Sequence, residues 1–231
     1  MSKFPITVFY HCYIPDDGRA LFWNWWLDEQ LGAAEKSNIH KVADFKMTIT
    51  MPRYWNGLGQ YKFPDLFEGK VLSYIKKRYP FVEVVSVRDT GELNIYEGET
   101  LKYLHNHCIE NTGVVAYYHT KGVLSASVET KLWRNFLDEV MINQWQMRYF
   151  DIQNYDCIGV KDGNPSVYSG NYFWAKNSYI SSLPEPISTD RYYYETWVHL
   201  NNPKSGVVID LKNKDMYNEM MMYGHVDYNN N

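Results

Sequence analysis

Two patterns of hydrophobic residues, one typical of strands and one typical of helices, alternate along most of the chain. They predict an alternation of strands and helices. Short runs rich in β-branched and aromatic residues are typical of strands, and longer segments place apolar residues at helical spacing. The predicted strands are 6–10, 44–50, 82–87, 114–118, 155–160, 166–175 and 206–211. The predicted helices are 20–36, 64–79, 97–111 and a long one within 127–150.

The order of these elements indicates the fold class. Up to residue 160 each strand is followed by a helix, and such connections are long enough for parallel crossovers. We therefore expect an α/β fold with a mostly parallel central sheet flanked by helices, and a looser mixed part toward the C-terminus. No repeat or low-complexity linker divides the 231 residues, so we expect one domain over residues 1–231.

The fourth predicted strand ends in an unusual polar cluster. The sequence VVAYYHTKG (114–122) passes from an apolar run to His119, Thr120 and Lys121 before a glycine. In open α/β sheets ligands bind beyond the carboxyl ends of the strands. The cluster is therefore either a turn or part of a binding site, and its position favours the site.

Composition narrows the classes of function. Aromatic residues make up 17% of the chain, with 21 Tyr and 8 Trp, and planar faces of this kind suit sugars and bases. The net charge of −4 argues against a nucleic-acid binder, which would carry a basic face. No apolar run approaches the ~18 residues of a membrane span. The aromatic content is compatible with a homodimer.

Cysteine use and the N-terminal sequence indicate the compartment. The start of the chain lacks the long apolar region and small-residue cleavage site of a signal peptide. The three cysteines are odd in number and widely spaced, which argues against a disulfide scaffold. HNHC (105–108) places two histidines two positions apart on a predicted helix, where they point to different sides and cannot easily share a zinc ion. We expect a cytoplasmic protein.

Two downstream segments carry a resemblance to a known family. YSGNYFWAKNSYISSLP (168–184) and DRYYYETW (190–197), together with the YYHTKG cluster, resemble glycosyltransferases of the GT-A fold. The order and spacing are most similar to small GT-A-like proteins of bacterial surface-polysaccharide loci and large viruses of algae. The resemblance implies a nucleotide-binding half over about 1–122 and an acceptor and catalytic half over about 123–231.

The resemblance implies an enzyme that moves a hexosyl or deoxyhexosyl group from a nucleotide sugar, such as a UDP-sugar, to a glycan, glycolipid or glycoprotein. In inverting members of the fold, an acidic residue at the position of Glu195 is the catalytic base. The alternative is a surface glutamate in a first helical turn, which the helix dipole favours there. Arg191 either pairs with Glu195 or reaches the diphosphate, or is a solvated arginine. Asp190 is a plausible helix N-cap.

Further candidates follow by position in the resemblance. Tyr13 after the first strand, and Asp89 and Asn94 after the third, stand where the family binds the nucleoside; turns with solvated polar residues are the alternative. His119, Thr120 and Lys121 would face the diphosphate.

The sugar and acceptor pocket would be formed by a second set. Gly170 permits close approach of the backbone to a ligand, although glycine also marks bulges and bends. Trp174 either stacks on a sugar or fills the core. The pocket residues implied in this way are Ser169, Gly170, Asn171 and Trp174.

One feature departs from the family. The metal-binding Asp-x-Asp motif is absent, and His119-Thr120-Lys121 stands in its place. In one interpretation Lys121 supplies the positive charge that Mn²⁺ or Mg²⁺ would otherwise provide, and no metal is held. In the other, His119 is a metal ligand together with His225 and a carboxylate. The first is favoured, because a lysine beside a dication would be repelled.

Two rival functions remain open at this point. A methyltransferase or another doubly wound nucleotide enzyme would require a glycine-rich loop after the first strand, where this chain has HCYIPDDG. A non-catalytic carbohydrate-binding or nucleotide-sugar-binding module would retain the fold without the Asp-x-Asp motif. Measured turnover would distinguish this module from an enzyme.

Overall fold

The seven strands in the described part of the chain form one sheet. A computed structural model describes residues 5–15, 22–51, 64–89, 97–120, 127–212, 214, 218–219 and 222, with the side chains of 64–66 and 191 left out. The strands are β1 (Ile6–Tyr13), β2 (Asp44–Met51), β3 (Val82–Asp89), β4 (Val114–His119), β5 (Cys157–Lys161), β6 (Phe173–Lys176) and β7 (Ser205–Asp210). The helices are α1 (Trp23–Lys36), α2 (Pro64–Arg78), α3 (Gly98–Glu110), α4 (Val128–Asp138), α5 (Trp145–Asp151), α6 (Asn177–Ile180) and α7 (Arg191–Thr196).

The sheet is mostly parallel, and one strand runs against the others. The spatial order is β3-β2-β1-β4-β6-β5-β7. β6 pairs antiparallel with both β4 and β5, and the remaining pairs are parallel. The amino end of β6 therefore lies at the same edge as the carboxyl ends of its neighbours. The predicted α/β class, with a parallel sheet and a mixed C-terminal part, is confirmed.

Helices cover both faces of the sheet, because alternate strand residues point to opposite sides. Along β1, Val8 and Tyr10 pack with α1, α2 and α4, whereas Phe9 packs with α3, α6 and α7. Along β6, Trp174 lies on the first side and Phe173 on the second. Both faces are buried, so these strands are nearly continuous apolar runs.

The predicted long helix within 127–150 is interrupted. α4 begins at the N-cap Ser127, whose hydroxyl accepts a hydrogen bond from the Thr130 amide at 3.2 Å. A wider π turn over Glu139–Asn143 then separates α4 from α5. The Met141 carbonyl within this turn accepts from the Trp174 indole at 2.8 Å, a contact with a distant strand that helical periodicity does not record.

The predicted strand 166–175 is shorter than expected. Only Phe173–Lys176 pairs in the sheet, and Ser169–Asn171 forms a 3₁₀ turn. Gly170 and Asn171 have positive φ values of 69° and 54°, in the left-handed region that an extended strand cannot contain.

Candidate functional site

The ends of β1 and β4 are joined just beyond their last residues. The Thr120 amide donates to the His11 carbonyl at 3.0 Å, and the Tyr13 amide donates to the Thr120 hydroxyl at 2.7 Å. Thr120 is buried, and its hydroxyl also donates to the Tyr13 carbonyl at 3.3 Å. The Thr120 side chain therefore holds the two strand ends together, next to the segment that contains Lys121.

His119 connects β4 to the turn before β6. Its Nε2 donates to the Gly170 carbonyl at 2.8 Å, and a carbonyl can only accept, so this nitrogen carries a hydrogen. A protonated Nε2 cannot ligate a metal ion while it makes this bond. The His119 carbonyl in turn accepts from the Tyr172 hydroxyl at 2.8 Å.

The glycine of the Ser169–Asn171 turn is required by two constraints. Gly170 has a φ of 69°, and a Cβ atom there would come within 2.4 Å of the Leu137 side chain. The close approach that Gly170 permits is therefore between its own backbone and the Leu137 side chain of α4. Ser169 is also buried and donates its hydroxyl to Asp162 at 3.0 Å.

Asn171 contacts a carboxylate, that of Glu97, which no sequence motif indicates as a site residue. Its side-chain amide donates to Glu97 Oε2 at 2.5 Å, and the Tyr117 hydroxyl donates to the same oxygen at 2.7 Å. Burial, together with the Glu97 carboxylate, raises the pKa of Tyr117, so this phenol remains a donor. The sequence feature that could have indicated Glu97 is its position as an acidic residue at the start of the predicted helix 97–111, after the third strand.

Glu195 lies on a helix that contacts the same asparagine. The amide of Asn171 also approaches the Tyr194 carbonyl at 3.4 Å, so α7 lies against the turn before β6. Glu195 itself is partly exposed. Asp190 accepts from the Tyr192 amide at 2.9 Å, which confirms the predicted N-cap.

Trp174 is placed in the core and does not line the edge of the sheet. Its side chain is fully buried, and its indole N–H donates to the Met141 carbonyl at 2.8 Å. The expected stacking on a sugar is corrected to the core-filling alternative. The physical reason is strand alternation, since Trp174 points to the face covered by α1 and α4.

The candidates for nucleoside and diphosphate binding are only partly described. Tyr13 and Asp89 end β1 and β3 and are partly exposed at the carboxyl edge of the sheet. Three predicted residues and one predicted side chain lie outside the described residues: Asn94, Lys121 and His225, and the side chain of Arg191.

A buried polar network centred on Gln30 contacts the last residue of β4 through its backbone carbonyl. The side-chain amide of Gln30 donates to Tyr172 at 2.6 Å, to the His119 carbonyl at 3.1 Å and to Asp138 at 3.3 Å, and its oxygen accepts from Tyr10 at 2.9 Å. Burial, with a smaller effect of nearby Glu29, raises the pKa of Asp138 to about 7. The sequence signal for this network was a glutamine within the apolar stripe of α1.

Few groups in the described part of the chain could hold a metal. Among the described residues, no three His, Cys, Asp or Glu side chains are grouped for this purpose. His105 contacts the Leu183 carbonyl and His107 contacts the Thr7 hydroxyl, each at 3.0 Å. The alternative ligand pair of His119 and His225 stays a prediction.

A buried histidine in this region predicts an acid-dependent loss of stability. His11 lies 2.9 Å from Thr100 and 3.2 Å from Thr48, and burial lowers its pKa to about 4. The unfolded chain, with an ordinary pKa of 6.5, therefore takes up this proton first as pH falls. We expect the His11 contribution, about 3 kcal/mol, to be lost between about pH 6.5 and 4.

Chemical denaturation of the wild type and His11→Gln across this pH range measures that contribution as the difference between the two curves. His199 is a matched companion, because burial also lowers its pKa to about 4. Each single variant should remove part of the acid-induced loss. An unchanged slope in His11→Gln would contradict the assignment.

Comparisons with known proteins give a family match and similar solved structures, one of which is described below. The sequence profile of a family described as a domain of unknown function (DUF8361) matches residues 9–202. No curated protein matches the chain. One similar solved structure is titled a cytidylyltransferase from Leptospira borgpetersenii serovar Hardjo-bovis; it has 12% identity and a TM-score of 0.49, over 91% of this chain and 77% of that one. In the described residues, no helix is both long and apolar enough to cross a membrane.

Proposed function

The chain belongs to the DUF8361 family, and from its site we propose that it is a GT-A-like glycosyltransferase that uses a nucleotide sugar. The observation that carries the proposal is a convergence at one edge of the sheet. His119 at the end of β4, Thr120 directly after it, Tyr13 at the end of β1, and Asn171 before β6 all lie there. Ligands of open α/β sheets bind at this edge.

The reversed direction of β6 supports the assignment of an acceptor side. Because β6 is antiparallel, the turn before it reaches the carboxyl edge, beside His119. The same turn contacts α7, the helix that carries Glu195. A donor side formed by the ends of β1, β3 and β4 would thus adjoin an acceptor side formed by Ser169–Asn171 and α7.

In this proposal Glu195 is the general base of an inverting transfer. Its carboxylate accepts the proton of an acceptor hydroxyl while that oxygen forms a bond to the anomeric carbon of the sugar. The bond from this carbon to the nucleoside diphosphate breaks on the opposite face, and the diphosphate leaves. Arg191, at the start of α7, would pair with Glu195 or contact the diphosphate.

The second part of the proposal is that Lys121 replaces a metal ion at the diphosphate. Thr120 is hydrogen-bonded to the end of β1 and His119 to the turn before β6, so the two residues that precede Lys121 are held in place. A lysine is a point charge that binds phosphate and would stabilise the leaving diphosphate. Mn²⁺ or Mg²⁺ held by His119 and His225 is the alternative.

Release of free nucleotide from a panel of sugar nucleotides, with EDTA or with manganese, tests both parts. We expect slow hydrolysis that survives EDTA and falls roughly tenfold or more in Lys121→Ala, because a charge-assisted hydrogen bond to the diphosphate is lost. Lys131→Ala, on the exposed side of α4, is the matched control.

The possible outcomes separate the alternatives. A requirement for manganese would overturn the role of Lys121 and make His119 a candidate ligand. Binding of sugar nucleotides without turnover, in the presence of varied glycan acceptors, would favour the non-catalytic module. Methyl transfer from S-adenosylmethionine would support the other rival. A single domain over 1–231, a homodimer and a cytoplasmic location remain parts of the proposal.

A further inference from the structure

Glu97 occupies the N-cap position of α3 but does not cap the helix. Its backbone has φ −82° and ψ −5°, and its side chain makes no capping hydrogen bond. Asp, Asn, Ser and Thr side chains at this position ordinarily accept from the first free amides of a helix. In this protein the carboxylate is turned instead toward the carboxyl edge of β4 and the turn before β6, where the candidate site lies.

Two neutral donors hold this carboxylate in place. The Tyr117 hydroxyl at 2.7 Å and the Asn171 amide at 2.5 Å both donate to Oε2. Both donors are buried, with 1% and 2% exposure, whereas Glu97 is partly exposed. No lysine or arginine in the described part of the chain forms an ion pair with Glu97. Among the described residues, the carboxylate is thus held by two neutral donors.

Asn171 adds a second acceptor at the same place. Its amide nitrogen must face Glu97, because a carboxylate can only accept hydrogen bonds. The other atom, Oδ1, is buried and has no hydrogen-bond partner among the described residues. Buried polar atoms are ordinarily paired, so an unpaired acceptor indicates a missing donor. Glu97 and Asn171 together therefore present acceptors to a ligand that brings donors.

We infer that Glu97 and Asn171 bind hydroxyl groups of the sugar carried by the nucleotide donor, an inference that rests on the proposed function. Sugar hydroxyls are neutral donors, and the unpaired Oδ1 of Asn171 belongs to the same side chain that donates to the Glu97 carboxylate. A metal ion is disfavoured, because no further carboxylate, histidine or cysteine of the described residues completes a ligand set. Glu97 is thus a binding residue for the sugar, distinct from Glu195.

The proposed binding role predicts an effect on affinity that a purely structural role would not produce. In Glu97→Gln, the affinity for a nucleotide sugar should fall roughly tenfold to a hundredfold, because a neutral amide replaces the carboxylate as the acceptor. The affinity for the nucleoside diphosphate without the sugar should not change. Titration calorimetry with UDP, GDP and dTDP, and with their glucose conjugates, measures this difference.

Two further variants serve as controls. Glu110→Gln makes the same substitution at the exposed far end of α3 and should leave all affinities unchanged. Tyr117→Phe removes one donor to Glu97 but keeps the carboxylate, so it should weaken nucleotide-sugar binding less than Glu97→Gln does.

Failure of this inference is distinguishable from failure of the proposed function. Equal nucleotide-sugar affinity in the wild type and Glu97→Gln would overturn the sugar-binding role alone. An equal loss of diphosphate and nucleotide-sugar affinity, with a lowered melting temperature, would assign Glu97 a structural role and also overturn it. A wild type that binds no nucleotide of the panel would overturn the proposed function, and this inference with it.

Discussion

Glu195→Gln is expected to lower the rate of sugar transfer by roughly 100- to 10,000-fold, the range for losing a general acid–base group. Glutamine keeps the size and hydrogen-bonding shape of the side chain but cannot accept the acceptor proton. Donor affinity should remain unchanged, because Glu195 acts on the acceptor hydroxyl. Single-turnover transfer rates and calorimetric donor affinities, measured on the same preparations, separate these effects.

The control for this variant is Glu185→Gln, which makes the same change at an exposed carboxylate paired with Lys102 at 2.8 Å. It should leave the transfer rate unchanged. If Glu195→Gln retains wild-type transfer, Glu195 is a partly exposed residue near the C-terminal end of α7 and the base lies elsewhere. Because α7 contacts Asn171, Glu97 would be the next carboxylate to test.

Trp174→Ala is expected to lower the free energy of unfolding by about 3–5 kcal/mol, the usual cost of removing a large aromatic side chain from a core. The indole is fully buried and its N–H donates to the Met141 carbonyl, so the substitution leaves a cavity and removes this donor. Equilibrium denaturation measures the loss. Trp174→Phe, which retains most of the volume, should be less destabilising.

Trp25→Ala is the matched control, because this tryptophan is 69% exposed. Its substitution should change the free energy of unfolding by no more than about 0.5 kcal/mol. If Trp174→Ala leaves the stability unchanged but loses nucleotide-sugar affinity, the sugar-stacking role of Trp174 is supported instead. Measuring both quantities on each variant decides between a core residue and a ligand contact.

The strands and helices up to residue 120 could be predicted closely from the chain. β2 and α3 begin and end within one residue of the predicted ranges, because apolar periodicity directly reports which side of an element is buried. The segment after residue 160 was harder to predict. In YSGNYFWA both a strand and a turn satisfy the apolar pattern, and the left-handed backbone of Gly170 and Asn171 decides for the turn.

The candidate site was predictable in part. A polar cluster at the end of an apolar run indicated the carboxyl edge near His119, since strand position alone defines that edge. Glu97 was not predicted, although it lies only 20 residues before its donor Tyr117. Its importance depends on the orientation of a single side chain, away from its own helix, and no local pattern encodes that orientation.

The amino-acid sequence by itself determined the α/β class, the order of the main elements and the edge of the sheet at which polar residues gather. These properties follow from local periodicity and from the general geometry of parallel crossovers. Only the tertiary structure decided that Trp174 fills the core, that Gln30 supports the end of β4, and that Glu97 and Asn171 meet. Each of those outcomes depends on contacts between distant segments, whose side chains come together only after the sheet has assembled.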